Sequence, residues 1–479
     1  MTLLRKWIGT KEFYRSLILL VMPIAFQQLL SSGVVLYNAM MVGKWGALQN
    51  NATSATAIVN IANRYFISMN GLLMAISITF SLFLAQYWGA KQKENMLKTI
   101  MKNFYVSFGF AVFVILIGFL IRNMWIRFFL PVEEKGSEIE NIAISYYMLT
   151  LLSLLPLSIS HVFAYALRTV KETKIPLIVT GISFVLHLLL VWIFLFYTSL
   201  GIKGVAIATI ITKGIECFLY FLFYFIKKPP FFGLKFKWKK EDEGKLKEIL
   251  KKGKAVFLSQ LLFEAMQIFF FFAYAQIEKG NQETILAVGL TGQVVDICYA
   301  LIGGMGTATA VFIGANVGKN EKQKARQRGN WILSYVVVYS LLLSLFILLF
   351  IPLSKWIYGD VPLLKQFLLF QALTLPFLFY SQNIMFIMRS GGYTRGSLYI
   401  VNLPSYLVKV PIVIVFIFLF PQLFSQAPAL SSILTFFHFT PSLVTFLFFI
   451  DRLLEIVRAI IATFLYHKIR WYERKLIHS

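Results

Sequence analysis

Long apolar stretches recur along the whole chain, each closed by a short segment rich in charge, glycine or proline. Crossing about 30 Å of hydrocarbon takes about 20 residues of helix, so runs of this length read as membrane spans. About twelve occur, near residues 15–43, 54–87, 100–121, 142–167, 176–199, 202–226, 255–278, 284–317, 330–353, 364–388, 397–420 and 441–467. The pattern predicts an all-α integral membrane protein.

The polar segments alternate in charge. With both termini placed in the cytoplasm, the inner segments hold Arg5, Lys6, Lys11 and Arg15, then Lys91, Lys93, Lys98 and Lys102, then Arg168, Lys171 and Lys174. The linker KKPPFFGLKFKWKKEDEGKLKEILKKGK, the loop GKNEKQKARQR and the end HKIRWYERKL continue the series. Outer segments such as LPVEEKGSEIEN and IEKGNQET are poor in Lys and Arg and rich in acid. The positive-inside bias therefore predicts an even number of spans, both ends inside, in a plasma (inner) membrane. The first apolar run has a basic start but no short apolar region followed by a small-residue cleavage site, so it reads as a retained span.

The second half restates the first. QQLL at 27–30 returns as SQLL at 259–262, and LAQYWGAKQKENM from Leu84 returns as IGANVGKNEKQKA from Ile313. NMWIRFFLP matches SKWIYGDVP, ALRTVKETKIP matches IMRSGGYTRGS, and TKGIEC matches DRLLEI. Each half holds about six spans and starts inside, so the prediction is two parallel six-helix repeats with pseudo-two-fold symmetry along the membrane normal. The expected organisation is a bundle over 1–226, a basic cytoplasmic linker over 227–253, a second bundle over 254–467 and a cytoplasmic tail over 468–479. Two such bundles rocking about a midplane cavity suit a transporter.

Composition agrees and removes other classes. The chain is 58% hydrophobic and only 14% charged, too apolar for one soluble core of 479 residues. The net charge of +25 is scattered over short loops, which favours the lipid bilayer as partner and excludes nucleic acid. Cys217 and Cys298 lie within apolar runs and form neither a disulfide framework nor a zinc motif. GANVGK at 314–319 is too short between its glycines for a phosphate loop and is followed by Asn320 rather than Ser or Thr. His161 and His187 stand alone in apolar spans, and no catalytic constellation gathers at either face, so an enzyme, a resident metal and a cofactor are not expected.

A charge near the bilayer centre costs about 2.5–3.5 kcal/mol on insertion scales, so ionisable residues inside spans are candidates for function. Glu264, in LLFEAMQIFFFF, is the first of these, with Gln260 and Gln267 a helical turn to either side. Arg64 and Asp296 fall at nearly equivalent repeat positions toward the outer face and are candidates for an outer gate. Asn60, Asn63, Asn70 and Asn402 are midspan polar groups, candidates for lining a cavity or bonding neighbouring helices. Lys213 with Glu216, and Arg452 with Glu455 and Arg458, have i, i+3 spacing and read as local ion pairs.

Segments matched between the halves resemble the multidrug and toxic compound extrusion (MATE) family, within the superfamily that includes lipid-linked oligosaccharide flippases. The resemblance rests on PIAFQQLLSSGVVLYNAMMVGKWG, LAQYWGAKQKEN, YALRTVKETKIPLIVTGISFVLHLLL, LGIKGVAIATIITK, IGANVGKNEKQKAR and IMRSGGYTRGSLYIVNLPSYLVKVP, in that order. It implies secondary active export of organic, often cationic compounds by alternating access, driven by transported protons or sodium ions, with the chain acting as a monomer. A flippase of lipid-linked saccharide is the alternative within the superfamily. It would want several Arg or Lys around a cavity for a pyrophosphate, and Arg64 and Lys409 are few.

The chain departs from the family where the family binds its ion. Members carry an aspartate in span one where Asn38 stands, and an Asn and an Asp in span five where His187 and Val191 stand. Asn38 ligates but does not titrate, and His187 prefers protons to sodium, so an intact sodium site in the first half is not expected. Glu264 matches a glutamate that a subset of the family has in span seven, whereas the carboxylate expected in span ten falls near Leu378. A lone glutamate suits proton exchange better than sodium, which needs several oxygen ligands. Lys409 with Pro411 matches a basic residue followed by proline, an architectural feature that also reaches toward the cavity.

Overall fold

In the computed structural model, residues 7–48, 52–130, 135–229, 240–277, 282–358, 362–419, 432, 435 and 442–477 are described. They form long helices: α1 (Lys11–Leu48), α2 (Ala52–Gly89), α3 (Lys93–Phe129), α4 (Glu138–Thr169, broken at Ser153), α5 (Lys174–Phe196) and α6 (Ile202–Lys227). A second set follows: α7 (Lys240–Ile277), α8 (Gln282–Gly318), α9 (Lys322–Tyr358), α10 (Pro362–Ser390), α11 (Leu398–Ile417) and α12 (Leu443–Lys468). Among the described residues, ten helices are long and apolar enough to span a membrane. Of the remaining two, α7 has a lysine-rich start and α12 carries Asp451, Arg452, Glu455 and Arg458.

The chain packs as two compact units, one of Leu19–Gln260 and one of Met1–Ile18 with Leu261–Ser479. In the first, α2 packs on α3 and α4, α3 on α4, and α4 and α5 each on α6. In the second, α8 packs on α9 and α10, α9 on α10, and α10 and α11 each on α12. The same five pairings recur, which is the duplication written in contacts. The first unit's interior is apolar toward one end, where Val42, Ala62, Leu73, Val114, Tyr147, Leu154 and Val205 pack together.

Helix ends carry the repeat into the backbone. Lys91, Lys171, Asn320 and Gly392 take left-handed φ of 60°, 69°, 65° and 107° just after α2, α4, α8 and α10. At each, two backbone N–H groups reach back over the last turn, as in Gln92 to Tyr87 and Lys91 to Trp88 at 3.0 and 3.1 Å. Glu321 to Asn316, Glu172 to Leu167 and Tyr393 to Met388 repeat the longer bond at 2.9 Å each. This double closure satisfies terminal carbonyls while turning the chain sharply. After the α8 turn, Lys324 donates to Glu321 at 3.0 Å and holds that carboxyl below its usual range.

The starts of α1 and α7 are docked by different chemistry. In the first unit the beginning of α7 lies against α3 through a buried Lys102–Asp242 ion pair at 3.1 Å and a Phe110–Phe257 contact at 5.6 Å. Gly253 permits the approach, since a Cβ there would meet Thr79 Cγ2 at 2.1 Å. In the second unit the beginning of α1 docks through Phe13, whose ring is 5.3 Å from Phe312 and 5.2 Å from Trp331. By the register of the repeat, Trp331 stands where the first half has Lys102.

α11 is wound partly as π-helix, over Leu398–Asn402, Ser405–Lys409 and Ile414–Leu419. Pro404 and Pro411 in this helix lack the N–H that an α-helical ladder needs, and the wider turns absorb the loss.

Candidate functional site

The first unit contains a cavity of about 200 Å³ among α1, α2, α4, α5 and α6. Polar groups on this wall sit mid-helix, where each would be costly if left without a partner. His187 on α5 reaches Asn38 Oδ1 on α1 with Nε2 at 2.9 Å and Thr212 Oγ1 on α6 with Nδ1 at 3.3 Å. His161 Nε2 on α4 lies 2.8 Å from Asn70 Oδ1 on α2. Gln27 joins two helices, donating to Thr180 Oγ1 at 2.9 Å and accepting from Arg168 Nη2 at 2.5 Å. Arg168 also lies over the Tyr165 ring at 4.9 Å.

One carboxylate, Glu216, is among the described lining residues, and Lys213 holds it at 2.8 Å. The polar part of the wall is therefore built of amides, hydroxyls, imidazoles, the Arg168 guanidinium and a closed ion pair. Phe66, Phe184 and Tyr165 supply its aromatic surface.

The second unit holds a buried charged chain between α10, α11 and α12. Lys409 Nζ meets Asp451 Oδ1 at 2.6 Å and lies 3.7 Å from the Phe270 ring centroid on α7. Arg452 binds the other Asp451 oxygen and donates to Gln371 Oε1 at 2.5 Å. One turn further, Arg458 pairs with Glu455 and donates to Ser405 Oγ. Lys409 and Asp451 come from antiparallel stretches of α11 and α12, and Ser405 and Arg458 follow in the same register.

Of the residues singled out in the sequence, Asn38, Asn63 and His187 line the first unit's cavity, and Asn63 Oδ1 also accepts from Tyr146 at 3.3 Å. Asn60 is exposed and Asn402 buried. Glu264 and Gln267 are half-buried on the part of α7 in the second unit, and Gln260 is half-buried on the part in the first. Lys409 meets an acid, Asp451. Arg64 is half-buried, and the side chain of its suggested gate partner Asp296 lies outside the described residues.

Several groups escaped the sequence reading. His161 looks isolated in the chain but faces the same cavity as His187, and Gln27, Thr180 and Thr212 bring further polar groups to it from three helices. Asp451 was visible as an intramembrane acid in DRLLEIVR, the signal that brought Glu264 forward.

Two bundles with one pairing pattern, each holding polar or charged groups at mid-helix, define a duplicated polytopic membrane transporter fold. A family model, MatE, matches residues 23–193 and 255–415. The chain belongs to this MATE family. A probable multidrug resistance protein NorM from Oceanobacillus iheyensis is 24% identical over 334 residues, 66% of this chain and 69% of that protein. The crystal structure of a MATE protein in its bent conformation superposes with a TM-score of 0.78 at 18% identity, covering 98% of this chain and 96% of the other. An outward-facing multidrug resistance MATE transporter of the MOP superfamily gives 0.78 at 17% identity, covering 97% of each. These likenesses bear on the fold, and they agree with the family assignment.

Proposed function

We propose that the protein is a secondary active antiporter that exports organic, cationic or amphipathic compounds by alternating access, coupled to a proton gradient through Glu264. The observation carrying this reading is the first unit's cavity, where Glu216, the one carboxylate among the described lining residues, is already bound by Lys213. With Asn38 in place of an acid there, carboxylate-based coupling falls to the second unit, where Glu264 is half-buried in an aromatic helix. Burial raises the proton affinity of a carboxyl, and one carboxylate is a poor sodium site. Relatives named as multidrug resistance proteins support export of small organic compounds. Phe66, Phe184 and Tyr165 on the cavity wall suit flat cations.

The test is transport in proteoliposomes under separately imposed proton and sodium gradients. A proton gradient alone is expected to drive uphill transport, and Glu264→Gln is expected to abolish it. Uphill transport by Glu264→Gln under the proton gradient would remove Glu264 from coupling.

A further inference from the structure

We propose that the second unit carries a headgroup site for an anionic phospholipid, built where the segment before α1, the start of α9 and the tail after α12 meet. The site shares no residue with the first unit's cavity and does not rest on the antiport reading.

The tail is what makes the site. Beyond α12 the chain folds back on its own bundle, with a single 3-10 turn over Trp471–Glu473 and Trp471 only 1% exposed. The Trp471 ring sits against Gly391 and Gly329, where an added Cβ would meet it at 2.5 and 3.2 Å. Anchoring Trp471 inside leaves its neighbours Arg470 and Tyr472 on the wall of a cavity of about 50 Å³. Arg326 and Asn330, one helical turn apart on α9, line it too, as do Trp7 and His467. A drug-sized compound needs ~300–1,000 Å³, so the space suits one small polar group.

The wall selects an anion. Arg326 lies over the Tyr472 ring at 5.4 Å and forms no ion pair among the described residues. Arg470 reaches Glu473 at 4.0 Å, with both side chains exposed to solvent. The buried Asn330 amide is held by the Tyr466 hydroxyl at 2.8 Å, and His467 adds an imidazole. No carboxylate lines the cavity among the described residues. Two planar guanidinium forks with no acid between them match the oxygens of a phosphate.

The surface beside the cavity favours a lipid as the source of that phosphate. Leu453, Val457, Ile460 and Phe464 are all exposed, and their spacing sets them in one stripe of α12 that runs to His467. Lys468 Nζ lies over the Phe464 ring at 5.0 Å, at the end of the stripe nearest the cavity. Acyl chains laid along the stripe bring the headgroup to the two arginines. Trp7 and Tyr472 are the residue types favoured at such an apolar–polar boundary. A zwitterionic headgroup would bring an ammonium that finds no acid on this wall. An anionic headgroup with an uncharged alcohol, such as phosphatidylglycerol, carries no such penalty. Once bound, it would tie the segment before α1 and the tail to α9.

The experiment uses the full-length protein, delipidated in detergent micelles and supplied with phosphatidylglycerol, phosphatidylcholine or millimolar inorganic phosphate. Native mass spectrometry should retain phosphatidylglycerol in preference to phosphatidylcholine, and phosphatidylglycerol alone should raise the apparent Tm. Arg326→Gln combined with Arg470→Gln should weaken phosphatidylglycerol retention about tenfold or more and remove its effect on Tm. Lys319→Gln combined with Lys322→Gln removes the same charge from the exposed α8–α9 turn and should leave both readouts intact.

Equal losses in the two double variants would reduce the site to general attraction between a basic face and anionic lipid, and would overturn it. Equal retention of the two lipids would do the same. Protection by inorganic phosphate equal to that by phosphatidylglycerol would make this a small-anion site and overturn the assignment to lipid. Should the arginine variant fail to fold, the unaltered protein decides: phosphatidylglycerol with a photoreactive group near its headgroup should crosslink to peptides holding Arg326 or His467–Tyr472. Crosslinks confined to other segments would refute the site.

Discussion

Asp451 sits between two cations, Lys409 at 2.6 Å and Arg452 on its other oxygen, in the middle of α12. Removing one member of a buried pair leaves its partner charged and undersolvated, at a cost of about 3–5 kcal/mol, whereas removing both is far milder. Asp451→Asn is therefore expected to lower the apparent Tm in micelles markedly, and adding Lys409→Met should recover part of the loss. An additive double variant would mean that the two side chains do not support one another. The pairing also shows what one chain of letters conveys. Spacing in DRLLEIVR suggests Arg452 with Glu455, yet Arg452 binds Asp451 and Gln371, the latter 81 positions away. Helical periodicity tells which residues share a face, but the partner across a helix pair depends on the packing register. His161 and His187 are a similar case: 26 positions separate their numbers, and only the folding of α4 and α5 around α6 brings both to one cavity.

At the scale of elements, the four left-handed turns test the duplication energetically. The second half meets the steric demand with Asn320 and Gly392, residues that tolerate positive φ, whereas the first half places Lys91 and Lys171 there. A lysine pays about 1 kcal/mol at such a position that glycine does not. Lys91→Gly and Lys171→Gly are each expected to raise stability by up to about 1 kcal/mol, read as a higher apparent Tm. Gly392→Ala should act oppositely and more strongly, because its Cβ would lie 1.5 Å from the Arg474 carbonyl oxygen and displace the tail that buries Trp471. Equal Tm values across the three variants would count against this account. The helices themselves were legible from the length of their apolar runs, including α7 and α12 despite their charge. Less legible were their polar extensions. The start of α7 is polar and reads as linker, but it continues as helix from Lys240 because Asp242 finds Lys102 and Gly253 clears Thr79.

For the whole molecule, orientation follows from charge rather than from packing. Short loops rich in Lys and Arg remain on the cytoplasmic side during insertion, and Lys91, Lys93, Lys171, Lys174, Lys319 and Lys322 lie in the turns after α2, α4 and α8. Three turns at alternate helix ends share one sign, so inversion of any single helix would break the pattern for the rest. Expected labelling follows directly. Cys217 and Cys298 are buried, so background reaction with a membrane-impermeant maleimide should be low. Exposed positions Glu172 and Lys322, replaced singly by cysteine, should label only after the cells are permeabilised. Lys135 and Thr198, exposed between α3 and α4 and between α5 and α6, should label in intact cells. Reversal of both sets would place the termini outside and invert the direction assigned to proton-driven export. A mixture within either set would break the six-span repeat itself, because two parallel bundles require corresponding turns to lie on the same side.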